Sequence, residues 1–289
     1  MTFATTPSLE VGTEFRQRLQ TRIPHPFPHS LAEMPALSLE SIAKLAESLP
    51  AESVVYDAAV KPLVSTGDEP AFTSPQEAGK LIRAIDENDS WLTLLNIEQS
   101  PDYAQMIDEQ FDAIARAIGE PGRTFRRRMG FVFVSSPGSI TPAHFDIEQS
   151  LCIQLRGERT LSFGSFADGG QRDEEVRRYW NGSFGRLEVM PVPQSEVRLA
   201  PGRAVYIPPY TPHWLQNGDA SSLSMTLTFF NDDNESESMV QVFNERLRKL
   251  RLSPRPFGDS PRVDRVKVMA MRSYSALRRP FKSDRPTAR

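Results

Sequence analysis

The sequence predicts an α+β protein whose centre is a barrel or jelly roll of short strands, with helical segments on both sides. Three observations carry that expectation. The apolar period is 3.6 residues up to about Phe125, falls to 2 from there to Phe230, and returns to 3.6 afterwards. Within the period-2 stretch, eight short β-rich runs follow one another through Pro/Gly turns, which describes a closed roll rather than an open parallel sheet. The flanking segments open helices at Ser-Pro steps, 74–75, 100–101 and 260–261, where Ser caps and Pro takes the first helical position.

In chain order, residues 1–124 form a helical and mixed segment. Its opening stretch must be extended because of Pro24, Pro26 and Pro28. Ser38 to Leu49 places Leu39, Ile42, Leu45 and Leu49 at helical spacing before Pro50 stops it. Ser74-Pro75-Gln76-Glu77 reads as a capping box for a helix to about Asn88. Trp91 to Ile97 suits a short strand. A third helix from Ser100 buries Met106, Ile107, Phe111, Ile114 and Ile118 and ends at Gly119. Residues 125–232 are the core, with strands expected at 126–134, 140–146, 151–156, 159–163, 195–199, 204–207, 213–216 and 223–230. One connection, 164–194, is long enough to be a lid or rim, and its Tyr179, Trp180 and Phe184 either wall a substrate or pin the loop. Residues 233–289 are basic and helical, first over 236–251, then from Ser260 with Val263, Val266, Met269, Ala270, Tyr274 and Leu277, before a tail expected to be disordered.

Composition excludes several classes. At 289 residues, 39% hydrophobic and 25% charged, the chain has the profile of a soluble globular protein. No apolar run approaches the ~18–20 residues of a membrane span, and Met1 to Gly12 lacks the cationic and apolar regions of an export signal, so a cytoplasmic location is expected. A single cysteine, Cys152, rules out intrachain disulfides and cysteine zinc sites and suits a buried apolar position. The net charge of −3 hides a split: residues 246–289 hold 14 Lys/Arg against 3 Asp/Glu, and residues 1–245 hold 20 against 34. The basic segment is expected to lie against its own acidic body or to meet a partner.

Two of the four histidines stand in chemically suggestive places. His144-Phe145-Asp146 lies on an expected strand, where residues i and i+2 share a face, so imidazole and carboxylate converge while Phe145 turns away. A third donor must come from a strand across the roll, and His213 opens one after Pro208-Pro209-Tyr210-Thr211-Pro212. Two imidazoles and one carboxylate on one face of a metal leave the opposite positions open, as in the facial triad of non-haem iron oxygenases. His25 and His29 have helical i, i+4 spacing, but the prolines between them forbid a helix and suggest an extended surface arm. Arg126-Arg127-Arg128 reads as a solvated edge.

The HxD pair sits in a longer string, Gly138-Ser139-Ile140-Thr141-Pro142-Ala143-His144-Phe145-Asp146, followed by Gln154-Leu155-Arg156-Gly157-Glu158-Arg159 and Pro201-Gly202-Arg203-Ala204-Val205-Tyr206-Ile207-Pro208. Over roughly residues 90–232 this resembles the JmjC, cupin-like branch of the Fe(II)/2-oxoglutarate-dependent oxygenases, and within it the protein hydroxylases typified by the asparaginyl hydroxylase that inhibits hypoxia-inducible factor. The resemblance implies a double-stranded β-helix core. It implies His144, Asp146 and His213 as iron ligands, with 2-oxoglutarate as cosubstrate held by Thr141 and by Arg159, where the family usually carries lysine. Thr228 matches a position where the compared hydroxylases carry Asn at the cosubstrate. The implied activity is hydroxylation of a protein, peptide or small amino-acid-like substrate, by a homodimer formed through the C-terminal helices. The alternative reading is a non-catalytic regulatory protein whose basic C-terminal helices bind nucleic acid or a partner.

Overall fold

The structure, a computed structural model, describes residues 7–64 and 71–278. Ahead of the roll the chain forms α1 (Glu14–Thr21), β1 (His25–Pro28), α2 (Leu39–Ser48), β2 (Val54–Ala58), β3 (Ala71–Phe72), α3 (Pro75–Arg83), β4 (Ser90–Leu94) and α4 (Pro101–Ile118). Some helix ends follow their expected chemistry, while Ser100 makes no side-chain cap and α3 ends at Arg83, short of the expected Asn88. Ser74 Oγ accepts from Glu77 N at 3.2 Å, and Gly119 closes α4 in the left-handed region at φ +68. Helix α1 has no counterpart in the sequence reading, because it buries only Phe15 and Leu19 among Glu, Arg and Gln.

The roll comprises β5 (Arg126–Ser135), β6 (Ile140–His144), β7 (Gln149–Arg156), β8 (Arg159–Ser165), an inserted α5 (Gly169–Arg178), β9 (Val192–Leu199), β10 (Arg203–Ile207), β11 (His213–Asn217) and β12 (Ser222–Phe230). All eight expected strands are present, with ends shifted by at most three residues. The chain alternates between a larger sheet ordered β1-β10-β7-β12-β5-β4-β2-β3 and a smaller one ordered β6-β11-β8-β9, every pairing antiparallel. This is the double-stranded β-helix. The β7–β8 turn depends on Gly157, at φ +69, where a Cβ would lie 2.1 Å from the Ser221 carbonyl oxygen.

The N-terminal strands lengthen the larger sheet at both edges, and the Pro-rich stretch is one of them. It is extended as expected, but it is not a surface arm: β1 pairs with β10, and His29 just beyond it is buried, its Nδ1 accepting from Leu31 N at 3.1 Å while its Nε2 donates to Gln154 O at 3.0 Å. Of the three arginines expected at a solvated edge, Arg127 is exposed, whereas Arg126 and Arg128 are half-buried and ion-paired. Arg128 pairs with Asp108 and Asp112 of α4 at 2.8 and 2.7 Å, and Arg126 pairs with Asp232 and Glu235 at 2.9 Å each.

The main hydrophobic core fills the space between the outer face of the larger sheet and α1, α2 and α4. A second cluster covers the outside of the smaller sheet, where Phe145 and Trp214 meet Val176, Tyr179 and Trp180 of the long connection. That connection is therefore largely ordered, with α5 inside it. Tyr179 and Trp180 pin it down, while Phe184 stays exposed.

Two C-terminal helices, α6 (Asp232–Lys249) and α7 (Pro261–Arg278), close the chain. The face of α7 that packs inward is Asp264, Lys267, Val268 and Met271, not the expected Val263, Val266 and Ala270 stripe; Val266 and Met269 are 61% and 62% exposed. The expected Leu277 falls outside the residues whose side chains are described, as does the tail. Among the described residues of the basic segment, the ion pairs are local, Arg248 with Glu245 and Lys267 with Asp264. No described helix is long and apolar enough to cross a membrane.

Candidate metal centre

His144 is the last residue of β6 and His213 the first of β11, and the antiparallel register places them opposite each other. Their ring centroids are 4.1 Å apart. Asp146 follows two residues after His144, beyond the end of the strand, with its Oδ2 3.8 Å from His213 Nε2. One donor atom from each of the three residues fits within 4.8 Å, and among the described residues this is the one such cluster able to hold a metal ion.

The two imidazoles are latched in the same way. His144 Nδ1 lies 2.8 Å from Pro142 O, and His213 Nδ1 lies 2.9 Å from Thr211 O, each two residues back. A carbonyl oxygen only accepts, so each Nδ1 carries the hydrogen and each Nε2 keeps its lone pair for a metal. Burial, and then the proximity of His144, push the His213 imidazole below its ordinary range, which favours the neutral form that ligates a metal.

The cluster lies on the wall of a cavity of about 170 Å³. The three residues expected to hold the cosubstrate line the same cavity, Thr141 on β6, Arg159 at the start of β8 and Thr228 near the end of β12, whereas Tyr179, Trp180 and Phe184 do not. Arg159 is 6% exposed, and its Nη2 donates to Cys152 Sγ at 3.2 Å. Its Nε–H and the Thr228 hydroxyl have no partner within the protein. A guanidinium is always charged, and taking one out of water with a donor unused is costly unless a bound anion meets it. The donor set suits a carboxylate at this end of the cavity and a divalent metal at the other.

Several lining residues escaped the sequence reading. Phe131 and Phe133 on β5 form an apolar wall with Ile207, Leu215 and Thr226. Strict alternation would have found the two phenylalanines, since Val132 and Val134 between them are buried in the main core on the other face. Glu148 also lines the cavity, two residues beyond Asp146. Burial, and then the Asp146 charge, raise it to about 7, and its Oε2 accepts from Ile147 N at 3.2 Å.

Residues 114–237 match the JmjC domain family. No curated protein matches the sequence. Solved structures similar to the whole fold include the crystal structure of Escherichia coli ribosomal oxygenase YcfD, at TM-score 0.51 and 16% identity over 98% of this chain and 70% of that one. A second structure of YcfD, a ribosomal oxygenase from Escherichia coli, gives TM-score 0.52 at 15% identity over 98% and 69%.

Proposed function

With a JmjC domain over residues 114–237 as premise, we propose that the protein is an iron(II)- and 2-oxoglutarate-dependent oxygenase that hydroxylates a C–H bond of a protein, peptide or small amino-acid-like substrate. One observation carries this reading: two latched imidazoles and a carboxylate share a cavity with a buried guanidinium that has a donor to spare. His144, Asp146 and His213 would hold the iron, whose chemistry is oxygen activation coupled to the decarboxylation of 2-oxoglutarate. Arg159 binds the distal carboxylate through charge-assisted hydrogen bonds, aided by the hydroxyls of Thr141 and Thr228. Phe131, Phe133, Ile207 and Leu215 keep water from the reacting end. The description of the similar structures as a ribosomal oxygenase supports a protein substrate.

The test is anaerobic addition of iron(II) and 2-oxoglutarate. The expected result is a weak visible charge-transfer band, followed in air by succinate formation. Absence of both from folded protein would sink the reading.

The reading extends to a homodimer through the C-terminal helices. Helix α7 packs on α6 by one face and presents Val266 and Met269 to solvent on another, between the exposed Arg262, Arg265 and Arg272. Sizing should give a dimer for the wild type and a monomer for a Val266→Glu, Met269→Glu double variant. A monomeric wild type whose RNA or DNA affinity falls steeply with salt would instead assign this face to nucleic acid.

A further inference from the structure

Asp146 stands outside the sheet hydrogen bonding that fixes the two histidines. Strand β6 ends at His144 and β7 begins at Gln149, so the turn carrying the carboxylate must be held by other means. Two consecutive carbonyls of that turn are gripped. Tyr210 N donates to Asp146 O at 2.6 Å, and Asn234 Nδ2 donates to Ile147 O at 3.0 Å.

Both grips lead to α6. Asn234, fully buried in its first turn, uses its amide in two directions: Oδ1 accepts from Asn231 N at 2.8 Å and closes the capping box, while Nδ2 reaches the turn. Tyr210 is held at φ +58, with the Arg172 guanidinium 5.4 Å from its ring centroid. Arg172 Nη2 in turn donates to Glu237 Oε1 at 2.7 Å, and Glu237 Oε2 also accepts from Arg22 Nη1 at 2.5 Å. Asn234 and Glu237 are three residues apart and share a helix face.

Capping accounts for the Asn234 Oδ1 but not for its Nδ2. Helix α6 buries Asn234, Glu237, Gln241 and Asn244 where an ordinary amphipathic helix buries leucine, and apolar groups of similar volume in place of buried charged ones are often neutral or stabilising. What an apolar side chain lacks is a directed donor to a chosen carbonyl.

We propose that Asn234 is a positioning residue for the metal site. Through Ile147 O it fixes the second peptide after Asp146, while Tyr210 N holds the first, and together they set the direction of that carboxylate, with Glu237 bracing the same turn through Arg172 and Tyr210. The inference rests on the metal reading given above, and its test separates the two.

Cobalt(II) is titrated into the full chain, following affinity and the visible cobalt spectrum, with melting temperature measured alongside. Asn234→Asp keeps an acceptor for Asn231 N and the favourable charge at a helix N-terminus, but loses the donor to Ile147. The charge buried there should lower the melting temperature, and in the protein that remains folded cobalt should bind about 10–100-fold more weakly, the usual consequence of losing a group that orients a ligand, with an altered spectrum. If this variant does not fold, Asn234→Ser, too short to reach Ile147, carries the same expectation. Unchanged cobalt affinity and spectrum in a folded variant would overturn the inference and leave Asn234 as a cap alone. A wild-type chain that binds no cobalt would instead overturn the metal reading itself.

Discussion

The two faces of the larger sheet use the same strands for opposite purposes. On the outer face, β7 contributes Leu151, Ile153 and Leu155, and β12 contributes Leu223, Met225, Leu227 and Phe229, all in the main core. On the inner face the alternate residues are Ser150, Cys152 and Gln154, and Ser224, Thr226 and Thr228. Both faces are buried, so burial alone does not tell them apart. What separates them is satisfaction. Along these two strands the outer face carries one polar side chain, Gln149, which accepts from Tyr206 Oη, whereas the inner one leaves the hydroxyls of Ser150, Ser224 and Thr228 without protein partners and faces the equally unpartnered Arg159 Nε–H of the smaller sheet. Buried hydroxyls without partners cost about 1–3 kcal/mol each, so the inner face is arranged for something that binds there. Outer-face substitutions should therefore act on stability, and inner-face ones on ligand affinity.

The largest expected effect is at the rim of the inner face. Asp146→Ala removes the only carboxylate of the cluster and should abolish succinate formation, with metal affinity lowered by more than the ~10–100-fold seen when a ligand merely loses its orienting partner. The melting temperature of the metal-free protein should hold. Normal turnover in this variant would sink the triad assignment.

On the opposite face, Leu227→Ala removes a fully buried side chain. It should cost about 2–5 kcal/mol of unfolding free energy, read by urea titration, and leave cobalt affinity unchanged in the protein that remains folded. A large loss of cobalt affinity there would erase the distinction between the faces.

How far this division was legible in the sequence depends on the strand. Along β5 the alternation is plain, Phe131 and Phe133 against Val132 and Val134. Strand β7 is buried throughout and reads as one continuous run, so its two roles show only in chemistry. His144 and Asp146 are legible from their spacing in the sequence, although the strand expected to place them on one face ends at His144 and a held turn brings the carboxylate back to the imidazoles. The distant Arg159 and Thr228 came from family resemblance, since no local pattern relates residues on different strands. The C-terminal helices were misread for a physical reason: α7 buries Asp264 and Lys267, with Lys267 Nζ donating to Arg255 O at 2.7 Å, and so inverts the apolar-inside rule that the stripe reading assumed. The buried polar face of α6 defeats the same rule.

Returning to the inner face, Arg159→Ala should raise the KM for 2-oxoglutarate. A hydrogen bond to a charged group contributes roughly 1.5–3 kcal/mol, or about 10–150-fold. An unaltered KM would move the anchor to another cation.

His29 offers a smaller and pH-dependent contrast, because it serves the fold rather than the cavity. Burial, partly opposed by its hydrogen bond to Gln154 O, lowers its pKa below the ordinary 6.5. The unfolded chain therefore binds the extra proton first. Above about pH 6.5 both states are neutral and His29 has no effect; as pH falls below that value, stability is lost until the folded-state pKa is passed. Urea titrations at several pH values should show that loss, and His29→Gln should reduce its slope. Equal slopes would mean that other groups govern it.

The smallest effect should be the most diagnostic, because its two components have opposite signs. Thr228 is 4% exposed, and its hydroxyl has no partner within the protein. Thr228→Val keeps the shape and removes the orphan, so the metal-free, cosubstrate-free protein should be as stable as wild type or slightly more so. If that hydroxyl binds the carboxylate of 2-oxoglutarate, the same change forfeits one hydrogen bond from a neutral donor to a charged acceptor, near the low end of the roughly 1.5–3 kcal/mol of such bonds, or about 10-fold in affinity. Thermal shift with and without 2-oxoglutarate, in the presence of cobalt, reads both quantities on one sample. A higher melting temperature alone and a smaller shift on adding 2-oxoglutarate is the expected pair. A lower melting temperature with an unchanged shift would place Thr228 with the outer-face residues, as part of the scaffold, and remove it from the cosubstrate site.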